Sequence, residues 1–109
     1  KKVHELKGIF IPAHIDRAVN GILGQLGLIP DNLEFDALGV LKHSSIQHVE
    51  KHGLKKVNIS FLRNSDAHYI HQIGEIYTMF NMLEKSFYEI KMALNQVGGR
   101  FVEINENNF

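Results

Sequence analysis

No cysteine occurs in the 109 residues, so neither a disulfide nor a thiolate metal site can form. That absence agrees with a cytoplasmic protein. Tryptophan is missing too, and proline occurs only twice. No apolar run approaches the ~20 residues that span a bilayer, and the basic N-terminus turns amphipathic at once, which does not fit a secretory signal. Charge of one sign is not in excess: 12 Lys and Arg face 12 Asp and Glu, and Lys1-Lys2 and Lys55-Lys56 are the longest basic runs. Such balance gives no electrostatic pull toward nucleic acid or an anionic membrane. What is present is a hydrophobic share of 44%, enough for the core of one modest domain. Seven histidines are the compositional oddity, histidine being the commonest metal ligand.

Taken in order, Val3 to Lys7 has the spacing of a last helical turn, with Gly8 where a C-cap belongs. Gly8 to Ala13 is a near-continuous apolar run, suited to a parallel strand covered on both faces. Val19, Ile22, Leu23 and Leu26 then fall on one helical face, predicting a helix from Ala18 to Gly27. Gly21, Gly24 and Gly27 weaken it by about 1 kcal/mol each relative to alanine. A turn is expected at Ile29-Pro30-Asp31-Asn32, and a second buried strand from Phe35 to Leu41. Ser44 or Ser45 is placed to cap a short polar helix through Lys51, ending at Gly53. Val57, Ile59 and Phe61 alternate with Asn58 and Ser60, predicting a third strand over 57–62. Ile76 to Met82 reads as either state, with Tyr77, Thr78 and Phe80 favouring a strand. Ser86 and Glu89 form a capping-box pattern ahead of Phe87, Ile90, Leu94 and Val97, and Gly98-Gly99 stops that helix. Phe101 to Ile104 predicts a last short strand before a polar tail from Asn105. The order β-α-β-α-β-loop-β-α-β suits βαβ crossovers and a mostly parallel α/β sheet.

Two of these strands end in histidine-bearing loops. Asp66 and His68 follow the strand at 57–62, and His14 follows the one at 8–13. A carboxylate oxygen and imidazole nitrogens delivered to one carboxyl edge can converge on a divalent cation. Taken alone, an Asp-x-His pair reads better as an Asx turn and a surface histidine. The surrounding order tips the balance.

Phe10-Ile11-Pro12-Ala13-His14-Ile15-Asp16-Arg17, then Leu26-Gly27-Leu28-Ile29-Pro30, Phe35-Asp36-Ala37-Leu38 and Asn64-Ser65-Asp66-Ala67-His68 closely resemble the C-terminal part of PHP-domain proteins. These are the polymerase and histidinol phosphatase superfamily of metal-dependent phosphoesterases, and the resemblance runs from about Gly8 to Arg100. It implies that residues 1–109 are the C-terminal portion of a single PHP domain. The implied fold is the C-terminal part of a distorted (β/α)7 TIM-like barrel. His14 would match the family's third motif, and Asp66 with His68 the fourth, all three as metal ligands. Arg17 would lie near the substrate phosphate. Up to three divalent ions, Zn, Mn or Fe, are implied for the intact site. Ile15 stands where many members have proline. The family's first two motifs, with their His-x-His and further His and Glu ligands, have no counterpart here, and a barrel of this type needs about 200–250 residues.

The resemblance therefore implies hydrolysis of a phosphate monoester or nucleotide by the intact parent, with the isolated chain inactive. A small phosphorylated substrate is expected, with neither a membrane nor nucleic acid as partner. A half-barrel with unpaired edges is expected to self-associate. The alternative is a non-catalytic regulatory or assembly domain on the same scaffold. His43, His48, His52 and His71 read as solvated side chains, although His48 and His52 share the i, i+4 spacing of a zinc pair. Met79, Phe80, Met82, Phe87 and Tyr88 read as core.

Overall fold

The structure, a computed structural model, describes residues 1–51, 56 and 58–105. Its elements are α1 (Lys2–Glu5), α2 (Ile22–Leu26), β1 (Leu38–Gly39), α3 (Ser44–Lys51), β2 (Phe61–Leu62), a 3-10 turn (Ile70–Gln72), β3 (Thr78–Asn81), α4 (Phe87–Leu94) and β4 (Phe101–Ile104). β1 and β2 pair in parallel, Leu38 opposite Phe61 and Gly39 opposite Leu62. β3 and β4 pair antiparallel, from Thr78 opposite Ile104 to Asn81 opposite Phe101.

Three extended segments lie side by side near the centre. Leu38 N donates to Ser60 O at 3.0 Å and Val40 N to Leu62 O at 2.8 Å, which joins β1 to β2. On its other side β1 takes the 8–13 segment, Asp36 N donating to Phe10 O and Gly39 N to Pro12 O, each at 2.9 Å. The apolar runs are continuous because both faces are covered. Leu38, Val40 and Phe61 join Ile15, Ile29, Phe35 and Val49 in one cluster, with Phe10 packed on it. Ala37 and Leu62 join Leu94 in the other, with Ile9, Ile11, Ile90 and Val102 around them.

The expected segment of a (β/α)7 TIM-like barrel with mostly parallel strands is not what forms. The described residues make two separate two-stranded sheets, one parallel and one antiparallel. Two local causes are visible. Residues 8–13 do not become a regular strand, because Pro12 has no N–H to give a ladder, and the Phe10 N–H goes to the Asp36 carboxylate at 2.7 Å. At the other end, Gly98 and Gly99 take φ of 62° and 80°, a left-handed pair that turns the chain back after α4. β4 therefore returns against β3 antiparallel. The 8–13 segment covers the flank of β1 away from β2.

Other elements are shorter than their patterns suggested. α2 begins at Ile22, not Ala18: residues 18–20 are turns, Asn20 has a φ of 65°, and Val19 is exposed. The turn after Ile29 closes with Leu33 N donating to Pro30 O at 3.1 Å. α3 forms as expected, although Gly53, its predicted end, lies outside the described residues, as do Val57 and the tail beyond Asn105. β3 and β4 match the strand readings. Ser86 caps α4 by accepting from Glu89 N at 3.2 Å. The Glu89 carboxylate does not complete a box; it accepts from Leu83 N and pairs with Arg100 Nε at 2.6 Å. The buried face of α4 is Glu89, Ala93 and Leu94, while Phe87 stays exposed. No described helix is long and apolar enough to cross a membrane.

Candidate functional site

The carboxyl ends of the three central segments surround one cavity of about 230 Å³. Its wall includes Ile11 and His14 from the first, Gly39 and Leu41 from the second, and Asn64 and Asp66 from the third. Packing is close here, for a Cβ on Gly39 would stand 3.3 Å from both His14 N and Pro12 O. His14 and Asp66 each adopt a left-handed backbone, with φ of 32° and 50°. Such conformations are disfavoured for non-glycine residues and recur where a side chain is held for function.

His14 is held from several directions. Ile15 N donates to Gly39 O at 2.9 Å, and Arg17 N donates to His14 O at 2.9 Å. The chain then wraps around Gly21, where a Cβ would lie 2.2 Å from Arg17 O and 2.7 Å from His14 O. Only glycine permits that approach. The Nδ1 of His14 is buried without a hydrogen-bond partner among the described residues, a costly state for an imidazole nitrogen unless something outside the chain meets it.

Asp66 is exposed, on a loop that is closely tied. Ser65 Oγ donates to Ile76 O and accepts from Gly74 N, both at 3.0 Å. Gln72 Oε1 accepts from the backbone N–H groups of His68 and Tyr69. His68 Nδ1 lies 2.8 Å from Asp66 O. A carbonyl only accepts, so Nδ1 is the donor and the neutral ring keeps its lone pair on Nε2.

The expected site residues divide. His14 and Asp66 share the cavity wall; His68 is exposed and is not part of that wall, and Arg17 is exposed on the turn after His14. Among the described residues no group of three His, Asp or Glu stands close enough to hold one ion.

Two acidic residues that the sequence reading passed over organise the surroundings. Asp16 accepts from Leu41 N and Lys42 N, each at 2.9 Å, and from Ser45 Oγ at 2.6 Å. Burial pushes its carboxyl up, but the hydroxyl and the two amides outweigh that and hold it below the usual range. Asp36 accepts from Phe10 N, from Asn95 Nδ2 at 2.9 Å and from His4 Nε2 at 2.8 Å. Burial opposes these bonds as well, and the balance again lies below the ordinary value. The signal for Asp16 was faint: an Asp beside a candidate ligand, with a Ser-Ser pair far along the chain. His4, on α1, pairs with Asp36. His48 is exposed on α3, and its expected neighbour His52 lies outside the described residues. His71 stacks on Tyr69.

A family model described as PHP-associated matches residues 51–106. The structure is similar to that of the lesion-specific endonuclease PfuEndoQ from Pyrococcus furiosus. The two are 25% identical, with a TM-score of 0.75 over 92% of this chain and 26% of that one. The chain thus spans about a quarter of the endonuclease. No curated protein matches it. The expectation of a small phosphorylated substrate with no nucleic-acid partner is overturned by the likeness to an endonuclease. Zero net charge averages over the whole chain and does not describe how the charges are distributed on it. With more than half of its residues matched, the chain belongs to the PHP-associated family.

Proposed function

We propose that the intact protein is a metal-dependent phosphoesterase that hydrolyses phosphodiester bonds in nucleic acid. In this reading residues 1–109 are the C-terminal portion of its PHP domain and supply His14, Asp66 and His68 as ligands. The observation that carries it is the shared cavity, whose wall includes both His14 and Asp66, with the buried His14 Nδ1 lacking a hydrogen-bond partner among the described residues. Nitrogen and carboxylate donors together suit Zn, Mn or Fe. The donor set fits such an ion only in part, because the remaining ligands must come from outside the described residues.

A bound divalent ion supplies Lewis acidity toward phosphoryl oxygens and toward water. The chain's own residues do the rest. The Asp66 carbonyl fixes the His68 tautomer that leaves Nε2 able to donate its lone pair. Asp16, occupied by two amides and a hydroxyl, holds the Leu41–Ser45 turn against the cavity and keeps that wall in place. Arg17 offers a planar fork of donors to non-bridging phosphate oxygens. The likeness to an endonuclease supports nucleic acid as the substrate class.

The test uses the intact protein, a duplex oligonucleotide and bis(p-nitrophenyl) phosphate, with Mn or Zn added. The expected result is cleavage of both, abolished by EDTA. Absence of cleavage with any of these ions counts against the reading. The second reading is a non-catalytic regulatory or assembly role on the same scaffold. Metal analysis separates the two, since a catalytic parent should carry more than one transition-metal ion per chain.

A further inference from the structure

Past Asp66 the chain makes the 3-10 turn Ile70–Gln72, and its backbone is pinned. Gln72 Oε1 accepts from His68 N at 2.8 Å and Tyr69 N at 3.1 Å, and Ile73 N donates to Ile70 O at 3.2 Å. The side chains at this ordered tip face solvent: Ile70 is 89% exposed, Ile73 72% and Tyr69 68%. Neighbouring apolar groups displayed on a fixed loop mark a contact surface. The Tyr69 ring also lies against the His71 imidazole, with centroids 6.0 Å apart and planes inclined by 12°. That pair is a flat, pre-ordered aromatic face, the geometry on which nucleobases stack. Ile70 beside it is a narrow apolar tip of the kind that enters a base step.

Chain length fixes the distance to the cavity. Ile70 follows Asp66 by four residues, so their Cα atoms are at most about 14 Å apart. At 3.4 Å per stacked nucleotide, that is within about four nucleotides of a phosphate held at Asp66. Resting on the nucleic-acid reading above, we propose that Tyr69, backed by His71, stacks on a nucleobase within about four nucleotides of the cleaved phosphate while Ile70 enters the adjoining step. Such a platform favours a base already loosened from its stack, as at a mismatch or a damaged nucleotide, because less stacking must be given up.

The test compares the intact wild-type protein with Tyr69→Ala, Tyr69→Phe and Ile70→Ser, all at exposed positions. The substrates are a duplex carrying 2-aminopurine at a single mismatch, and bis(p-nitrophenyl) phosphate, which has no base. The expected result is a fall of about tenfold or more in the ratio of duplex to aryl-diester kcat/KM for Tyr69→Ala, what the loss of one base–aromatic stack gives, and a fall in the same direction for Ile70→Ser. Tyr69→Phe should keep the ratio, and the change in 2-aminopurine emission on binding should be lost in Tyr69→Ala. An unchanged ratio with full duplex cleavage overturns the platform and leaves the nuclease reading standing. Both activities falling together, at constant ratio, also overturns it, pointing to a loop packed on the rest of the protein. Wild-type protein that hydrolyses the aryl diester and neither binds nor cuts the duplex overturns platform and nucleic-acid reading alike.

Discussion

His14 and Asp66 belong to different loops, yet both stand on the wall of one cavity and both hold a left-handed backbone, at φ 32° and 50°. Neither residue is glycine, so the surrounding bonds must offset the strain. For His14 these are the Ile15–Gly39 bond and the close wrap at Gly21; for Asp66 they are the Ser65 bonds and the His68 ring.

Gly21 is where that support is most exposed to mutation. Gly21→Ala places a methyl group 2.2 Å from Arg17 O, and backbone cannot retreat as a flexible side chain would. The expected loss is about 1–3 kcal/mol, measured by urea denaturation. A parallel drop in activity of the intact protein is expected, because the His14 turn shifts with it.

Asp36 joins three separate parts of the chain, α1, the 8–13 segment and the end of α4. Asp36→Ala leaves the Phe10 N–H without its acceptor and frees His4 and Asn95 from their anchor. An orphaned buried donor costs about 1–3 kcal/mol. Thermal unfolding should show the loss, with Asp36→Asn recovering only part of it.

Acid should loosen the fold through the same groups. Asp16, Asp36 and Glu89 all lie below their ordinary values of 3.8, 3.8 and 4.5. Burial raises each, but hydrogen bonds outweigh it, aided at Glu89 by the Arg100 charge and at Asp36 by His4. A depressed carboxyl contributes stability that is fully present above its unfolded value and is lost as pH falls through its folded value. Melting temperature should therefore hold steady above about pH 5 and fall progressively below pH 4.5. Glu89→Gln should melt lower at neutral pH and show a shallower acid slope. A Glu89→Gln slope equal to that of wild type would contradict the assignment.

Much of this was legible in the residues, and what was not has physical causes. Ser86, the glycine pair at 98–99, and the apolar alternation around Phe80 and Val102 fixed α4, β3 and β4 locally, because caps, turns and cross-strand pairs act over a few residues. The barrel expectation failed where one residue outweighed a pattern: Pro12 could not donate, and Asp36 took the Phe10 amide in place of a ladder bond. Val19 fitted a helical face by period, yet the turn around Gly21 left it in solvent. In the site, His14 and Asp66 could be paired from sequence because each follows a buried run. The work of Asp16 could not, since its partners Leu41, Lys42 and Ser45 are near it only in space.

The most direct test of the account is manganese-dependent cleavage of a mismatched duplex by the intact protein and its His14→Ala and Asp66→Ala variants, with bound metal per chain measured on the same samples. Both variants should keep the wild-type circular dichroism, lose bound metal and fall about 100-fold or more in kcat/KM. Wild-type turnover and metal content in either folded variant would contradict a metal site built on this cavity.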